Sequence, residues 1–172
     1  MRKGFTLIEI LVYIAVLSVV ILAVSSFFLW VTNVNAKVRA MREVADNARR
    51  AIEIMTQEVK EAKGIYTPTS TFSSHPGQLS LETIKYLPTG ETTTYLDFYL
   101  CGTQLCLKKE SQDPIALTSD RVEVKNLQFQ QVVTAAVPSV QIDLRVDYKA
   151  PVAKPGYRAS FITTSTVSLR SY

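Results

Sequence analysis

From Ile10 to Ala36 the chain carries no Asp, Glu, Lys or Arg, and Ile, Leu, Val, Ala and Phe dominate the stretch. As a helix its apolar part, Ile10 to Val31, would be roughly 33 Å long, which matches the hydrocarbon core of a bilayer. Pro68 is the first proline, so nothing in this region forces a kink. Trp30 stands at the far end of the run, where an interfacial aromatic is expected. Of the 172 residues, roughly 136 remain for anything soluble, enough for one small domain and too few for two. An ordinary cytosolic enzyme is disfavoured on that ground. A disordered chain is excluded by a composition that is 47% hydrophobic and 9% aromatic. Two cysteines rule out a disulfide-dense scaffold or a four-cysteine zinc site. A net charge of +4 makes no case for nucleic acid by itself.

Three readings of the N-terminus compete. Arg2 and Lys3 with Ala23-Val24-Ser25 loosely match a cleaved secretory signal, but the apolar run exceeds the usual signal core and Glu9 stands at its start. A plain membrane anchor explains the length and leaves Glu9 without a purpose. A carboxylate in an apolar span costs about 2.5–3.5 kcal/mol at the helix centre and less near the interface. Flanking cations point the wrong way for an exported domain. Arg2 and Lys3 precede the span, whereas Lys37, Arg39, Arg42, Arg49 and Arg50 follow it. Counting alone would put the C-terminal side in the cytoplasm.

The third reading rests on Arg2-Lys3-Gly4-Phe5-Thr6-Leu7-Ile8-Glu9-Ile10 followed by the long apolar run. This stretch resembles the processing motif of type IV prepilins and type II secretion pseudopilins, and the resemblance extends to about Trp30. It implies a leader that a membrane-embedded prepilin peptidase removes between Gly4 and Phe5. The same enzyme usually methylates the new amine of Phe5. Glu9 then has a physical reason, because an unpaired charge in a low-dielectric setting is expensive and a carboxylate can compensate the amine. In this family the pair is thought to join one subunit's Glu to its neighbour's N-terminus and to set axial register. A Glu9 that is merely hydrated at the membrane surface is the alternative. Processing requires the leader on the cytoplasmic side, and that requirement overrides the cation count. The implied partners are the prepilin peptidase, other pilin or pseudopilin subunits, an assembly-platform membrane protein and the cytoplasmic (inner) membrane. The chain would cross that membrane once, with its C-terminal domain extracytoplasmic.

After Asn35 the chain turns polar without helix breakers. Val38, Met41, Ala45, Ala48, Ile52, Met55, Val59 and Ala62 recur at spacings of three and four, a single stripe on a helix. The stripe would serve a coiled coil or a seat for a domain. Gly64 suits a C-cap, with Pro68 beyond it. One helix from Thr6 to Lys63 would be about 87 Å long. A Ser/Thr/Pro loop spans Thr67 to Gly77, and strand patterns follow at Gln78–Tyr86, Thr93–Cys101, Leu105–Lys109, Arg121–Val133, Ser139–Lys149 and Tyr157–Arg170. The alternation slips near Asn126, where a bulge would fit. The expected organisation is a leader at 1–4, a transmembrane or filament-core helix at 5–31, its amphipathic continuation at 32–64 and a β-rich domain at 65–172. The fold class is α+β and pilin-like, with the second half of the helix packed on a mostly antiparallel sheet.

Scattered later features, the helix end Ala48 to Lys60 among them, give a weaker similarity to J-type minor pseudopilins and W-type minor pilins. These prime assembly or sit near the filament tip; a major subunit stays open. Cys101 and Cys106 enclose Gly102-Thr103-Gln104-Leu105 and could meet across a hairpin as a disulfide, or remain two free thiols. No phosphate loop or nucleophile elbow is present, and His75 is the sole histidine, so no enzyme, cofactor or metal is expected. Asp143 and Asp147 share a strand face, with Arg145 between them, and read as a solvated, charge-balanced surface rather than a calcium site. The rival class is a binding module for DNA or surfaces, for which Lys108, Lys109 and Tyr99, with Tyr157 and Arg158, are thin support.

Overall fold

A computed structural model describes residues 6–134, 137–149 and 157–170. Helix α1 runs unbroken over Leu7–Glu61, with Thr6 as its N-cap. Its 55 residues make a rod about 82 Å long. The remainder is all β: β1 (Gly64–Ile65), β2 (Leu79–Thr83), β3 (Thr94–Cys101), β4 (Gln104–Lys109), β5 (Ile115–Ala116), β6 (Val122–Thr134), β7 (Val137–Tyr148) and β8 (Ser160–Ser168). They form two antiparallel sheets in sequence order, β1 to β5 and β6 to β8. The chain is thus the expected α+β, pilin-like layout, with two sheets where one was expected.

Residues from both sheets and the second half of α1 share one core. Phe98, Leu96, Leu79, Leu81 and Leu105 enter it from the first sheet; Leu127, Phe129, Ile142 and Leu144 enter it from the second. On β7 the residues Val140, Ile142, Leu144 and Val146 are buried while Gln141, Asp143, Arg145 and Asp147 alternate with them on the open face. The register of β6 on β7 shifts between Val124 and Asn126. Burial on β6 changes phase there, from Val122 and Val124 to Leu127 and Phe129. One extra residue in the strand accounts for the slip in the sequence pattern.

The buried face of α1 shares Ala48, Met55, Val59 and Ala62 with the expected stripe and departs from it at the other positions. Ala40, Val44, Ala48, Ala51, Met55 and Val59 are buried, followed by Ala62. Val38 and Met41 are exposed instead, and Ala45 and Ile52 lie at the margin. Both rows obey the same period. The face that meets β7 and β8 carries three alanines, and small side chains allow the helix axis to approach the sheet closely. Val44, Met55 and Val59 fill the space between them, and Ile52 packs at the margin of the core.

The helix also ends earlier than Gly64. Ala62 caps it in extended conformation. Lys63 N–H then donates to the Glu82 carbonyl (2.8 Å) and Tyr66 N–H to that of Ser80 (2.9 Å). Capture by the edge of β2 ends the helix, and Gly64 opens β1. Strand β2 stops at Thr83, short of the expected Tyr86, whose φ of 67° is incompatible with a strand.

Two further ties fix the helix and the loops. Asn47 Oδ1 accepts the Ser119 N–H (2.8 Å), joining α1 to the segment before β6. The loop from Thr71 to Gln78 lies along the edge of β6 that β7 does not use. Ser73 N–H donates to the Phe129 carbonyl (2.8 Å), Gly77 N–H to that of Leu127 (2.9 Å), and Leu127 N–H to His75 Nδ1 (3.1 Å). This loop covers a strand edge that would otherwise be free to pair with another chain.

Candidate assembly site

Every residue of α1 from Leu7 to Trp30 is exposed. The 18-residue window with mean hydropathy 2.9 lies here, and none of it is buried in the protein. Leu7, Ile8, Val19, Phe27 and Phe28 are more than 60% exposed, and at about 100° per residue they surround the helix axis. A helix apolar on all sides is stable only inside lipid or among other helices. Burying each large apolar side chain is worth about 1.5–3 kcal/mol, so the run as a whole gains several tens of kcal/mol on leaving water. A single carboxylate near its end, costing less than the roughly 3 kcal/mol of a central position, cannot reverse that balance. Ser18 Oγ donates to the Ile14 carbonyl (2.8 Å), and just past the run Thr32 Oγ1 donates to that of Leu29 (2.9 Å).

Gly4 and Phe5 lie outside the described residues. Glu9 sits in the first turn of α1, where Thr6 N–H (3.4 Å) and Thr6 Oγ1 (3.5 Å) approach its Oε2. Both contacts are long and exposed, so the carboxylate has room for a stronger partner.

Cys101 and Cys106 form a disulfide, with Cα atoms 5.8 Å apart. The connection is tighter than the four-residue loop read from the sequence. Cys101 pairs directly with Gln104, so Gly102 and Thr103 alone make the turn, and Gly102 takes the positive φ of 68° that it needs. The bond therefore runs diagonally from Cys101 to a residue that pairs with Tyr99.

The remaining candidates do not converge on a reaction centre. Asp143 accepts from Thr164 Oγ1 (2.6 Å) and Gln141 Nε2 (3.1 Å). Asp147 binds both Arg145 Nε (3.0 Å) and Nη2 (3.1 Å), and Ser160 Oγ (2.7 Å). Burial pushes the Asp147 carboxyl up, but Arg145 and Ser160 together hold it below its ordinary value. Both carboxylates are thus engaged by their strand neighbours. Lys109 stacks on the Tyr86 ring at 3.5 Å, on the first sheet, while Arg158 lies beside β7 and β8 with Lys149. These basic residues belong to different sheets. At the far end of α1, Lys85 bridges to Glu61 and to Glu58 (3.6 Å). The hydrogen bond from Lys85 holds the Glu61 carboxyl below its ordinary value, and Glu61 in turn raises Lys85.

Residues 1–25 match the family model described as the prokaryotic N-terminal methylation motif. This is a type IV pilin-like prepilin signal, and it supports kinship with pilins and pseudopilins as processed, membrane-anchored structural subunits. The match ends at Ser25, about a third of the way along α1, and leaves the β-rich domain untouched. No curated protein and no solved structure matches the chain.

Proposed function

We propose that the protein is a structural subunit, of the minor class, in a type IV pilus-like or type II secretion pseudopilus filament. The single observation that carries this reading is a methylation motif over residues 1–25 placed on a helix whose first half is apolar and exposed on all sides. Prepilin peptidase cuts between Gly4 and Phe5 and methylates Phe5. The segment 5–31 then anchors the subunit in the inner membrane until the assembly platform extracts it. In the filament, other subunits' helices replace lipid around it, and Glu9 neutralises a neighbour's N-terminal amine. Residues 32–64 carry the domain formed by 65–172, which faces outward and contacts sibling subunits. The weaker sequence likeness to J-type pseudopilins and W-type pilins supports a place at the priming end or tip.

Filament association is the direct test. In cells with the assembly machinery, part of the tagged full chain is recovered with sheared filaments. In cells lacking the assembly ATPase, all of it stays in the membrane. Recovery in the membrane alone in both strains would overturn the reading.

A further inference from the structure

Filament assembly gives no task to the cations that follow the span, yet the fold gathers several of them in one place. A groove of about 670 Å³ opens at the base of the domain, where α1 leaves it. Arg39 and Arg42 line it from the helix, Arg121 from the start of β6, and Tyr148 from the end of β7. Thr32 and Asn35, just beyond Val31, line its membrane-side end. Glu43 and Asp46 line its upper part, and Glu43 is engaged by Ser119 Oγ (3.3 Å). Among the described residues Lys37, Arg39, Arg42 and Arg121 enter no salt bridge. From Ile10 to Arg42 there is no carboxylate at all.

The distances suit a bilayer surface. Arg39 lies about 12 Å along the axis beyond Val31. Headgroups extend roughly 5–8 Å beyond the hydrocarbon on each side. Side chains on a helix lean toward its N-terminal end, which here is the membrane side, and a long arginine stem closes the remaining gap. Guanidinium groups also match phosphate oxygens with paired hydrogen bonds.

We propose that the base of the domain, Lys37, Arg39 and Arg42 with Arg121, docks on anionic phospholipid headgroups while the subunit waits in the membrane, the groove admitting one lipid phosphodiester. This rests on the reading of Ile10 to Val31 as a membrane span and is independent of cleavage at Gly4. The test is native mass spectrometry of the full chain in detergent with equal amounts of phosphatidylglycerol and phosphatidylcholine. The wild type retains phosphatidylglycerol in preference. Each cation near an anionic surface is worth about fivefold, so Arg39→Gln with Arg42→Gln and Arg121→Gln lowers the preference about a hundredfold. Arg39→Gln alone lowers it about fivefold and guards against a triple variant that misfolds. Arg49→Gln with Arg50→Gln, one to two turns above the groove, leaves it unchanged. Equal retention of the two lipids by the wild type, or a triple variant that keeps the preference, overturns the proposal. So does displacement of the lipid by millimolar inorganic phosphate that is itself retained, which would assign the groove to a free anion. A chain that fails to enter bilayers sinks the span and this inference together; one that inserts without lipid preference sinks this inference alone.

Discussion

Replacing Gly77 by Ala tests whether the loop over β6 is as tightly seated as its geometry requires. A Cβ at Gly77 would meet the Leu127 carbonyl oxygen at 3.0 Å, Phe129 Cδ2 at 3.1 Å and the Ser74 carbonyl oxygen at 3.3 Å. Two of the three are backbone, and Phe129 is fully buried, so none can swing aside cheaply. Overpacking of this kind costs about 1–3 kcal/mol. Loss of chain freedom in the unfolded state returns roughly 0.4–1 kcal/mol. The net is a loss of about 1–2 kcal/mol, or roughly 4–8 °C in the melting temperature of a domain this size. Gly64→Ala is the internal control, because the nearest atom to its Cβ would be Glu82 Oε2 at 4.0 Å. It should gain about 0.4–1 kcal/mol. Near-UV circular dichroism of the full chain in detergent, followed through thermal unfolding, reads both. Hydrogen exchange should quicken at Ser73 and Gly77 in the Gly77 variant. Equal melting temperatures for the two variants would refute the seating argument.

Three other outcomes are expected. Glu9→Ala should be cut normally yet enter filaments poorly, since a buried amine left without its partner costs about 3–5 kcal/mol; quantitative immunoblots of sheared filaments would read this, and normal entry contradicts the pairing. Peptides spanning Cys101 and Cys106 should resist thiol reagents until reduced, and Cys101→Ala with Cys106→Ala should cost roughly 2 kcal/mol of stability in denaturant titrations; full labelling without reduction rejects the bond. The Glu61–Lys85 pair should hold across neutral pH. Glu61 is lowered, so its contribution is present above its unfolded value of 4.5 and fades as pH falls through its folded value. Lys85 is raised, so its contribution is present below 10.5 and fades only above that. Melting curves of Lys85→Met and the wild type should therefore converge below pH 4.5; a gap that persists in acid rules the pair out as its source.

The parts of the fold legible in sequence were those set by local periodicity. The charge-free run, the strict alternation of Val140 to Tyr148 and the slip near Asn126 need no tertiary information. The helix face was legible at Ala48, Met55, Val59 and Ala62, whereas elsewhere two rows at the same spacing were available and only packing on the sheet selects Ala40, Val44 and Ala51 over Val38, Met41 and Ile52. Strands β1 and β5 are two residues each and leave no pattern. The docking of His75 on Leu127 and of Asn47 on Ser119 joins residues far apart in sequence. The same holds for the groove, because Arg121 meets Arg39 and Arg42 only after the sheet has packed on the helix. The methylation motif was readable for the opposite reason, since its residues are contiguous in the sequence.

The account turns on cleavage ahead of Phe5, and the intact mass of the native protein measures it directly. The expected value is that of a chain beginning at Phe5 and bearing one methyl group. A mass that retains Met1 to Gly4, or one corresponding to a start near Ser26, would contradict it.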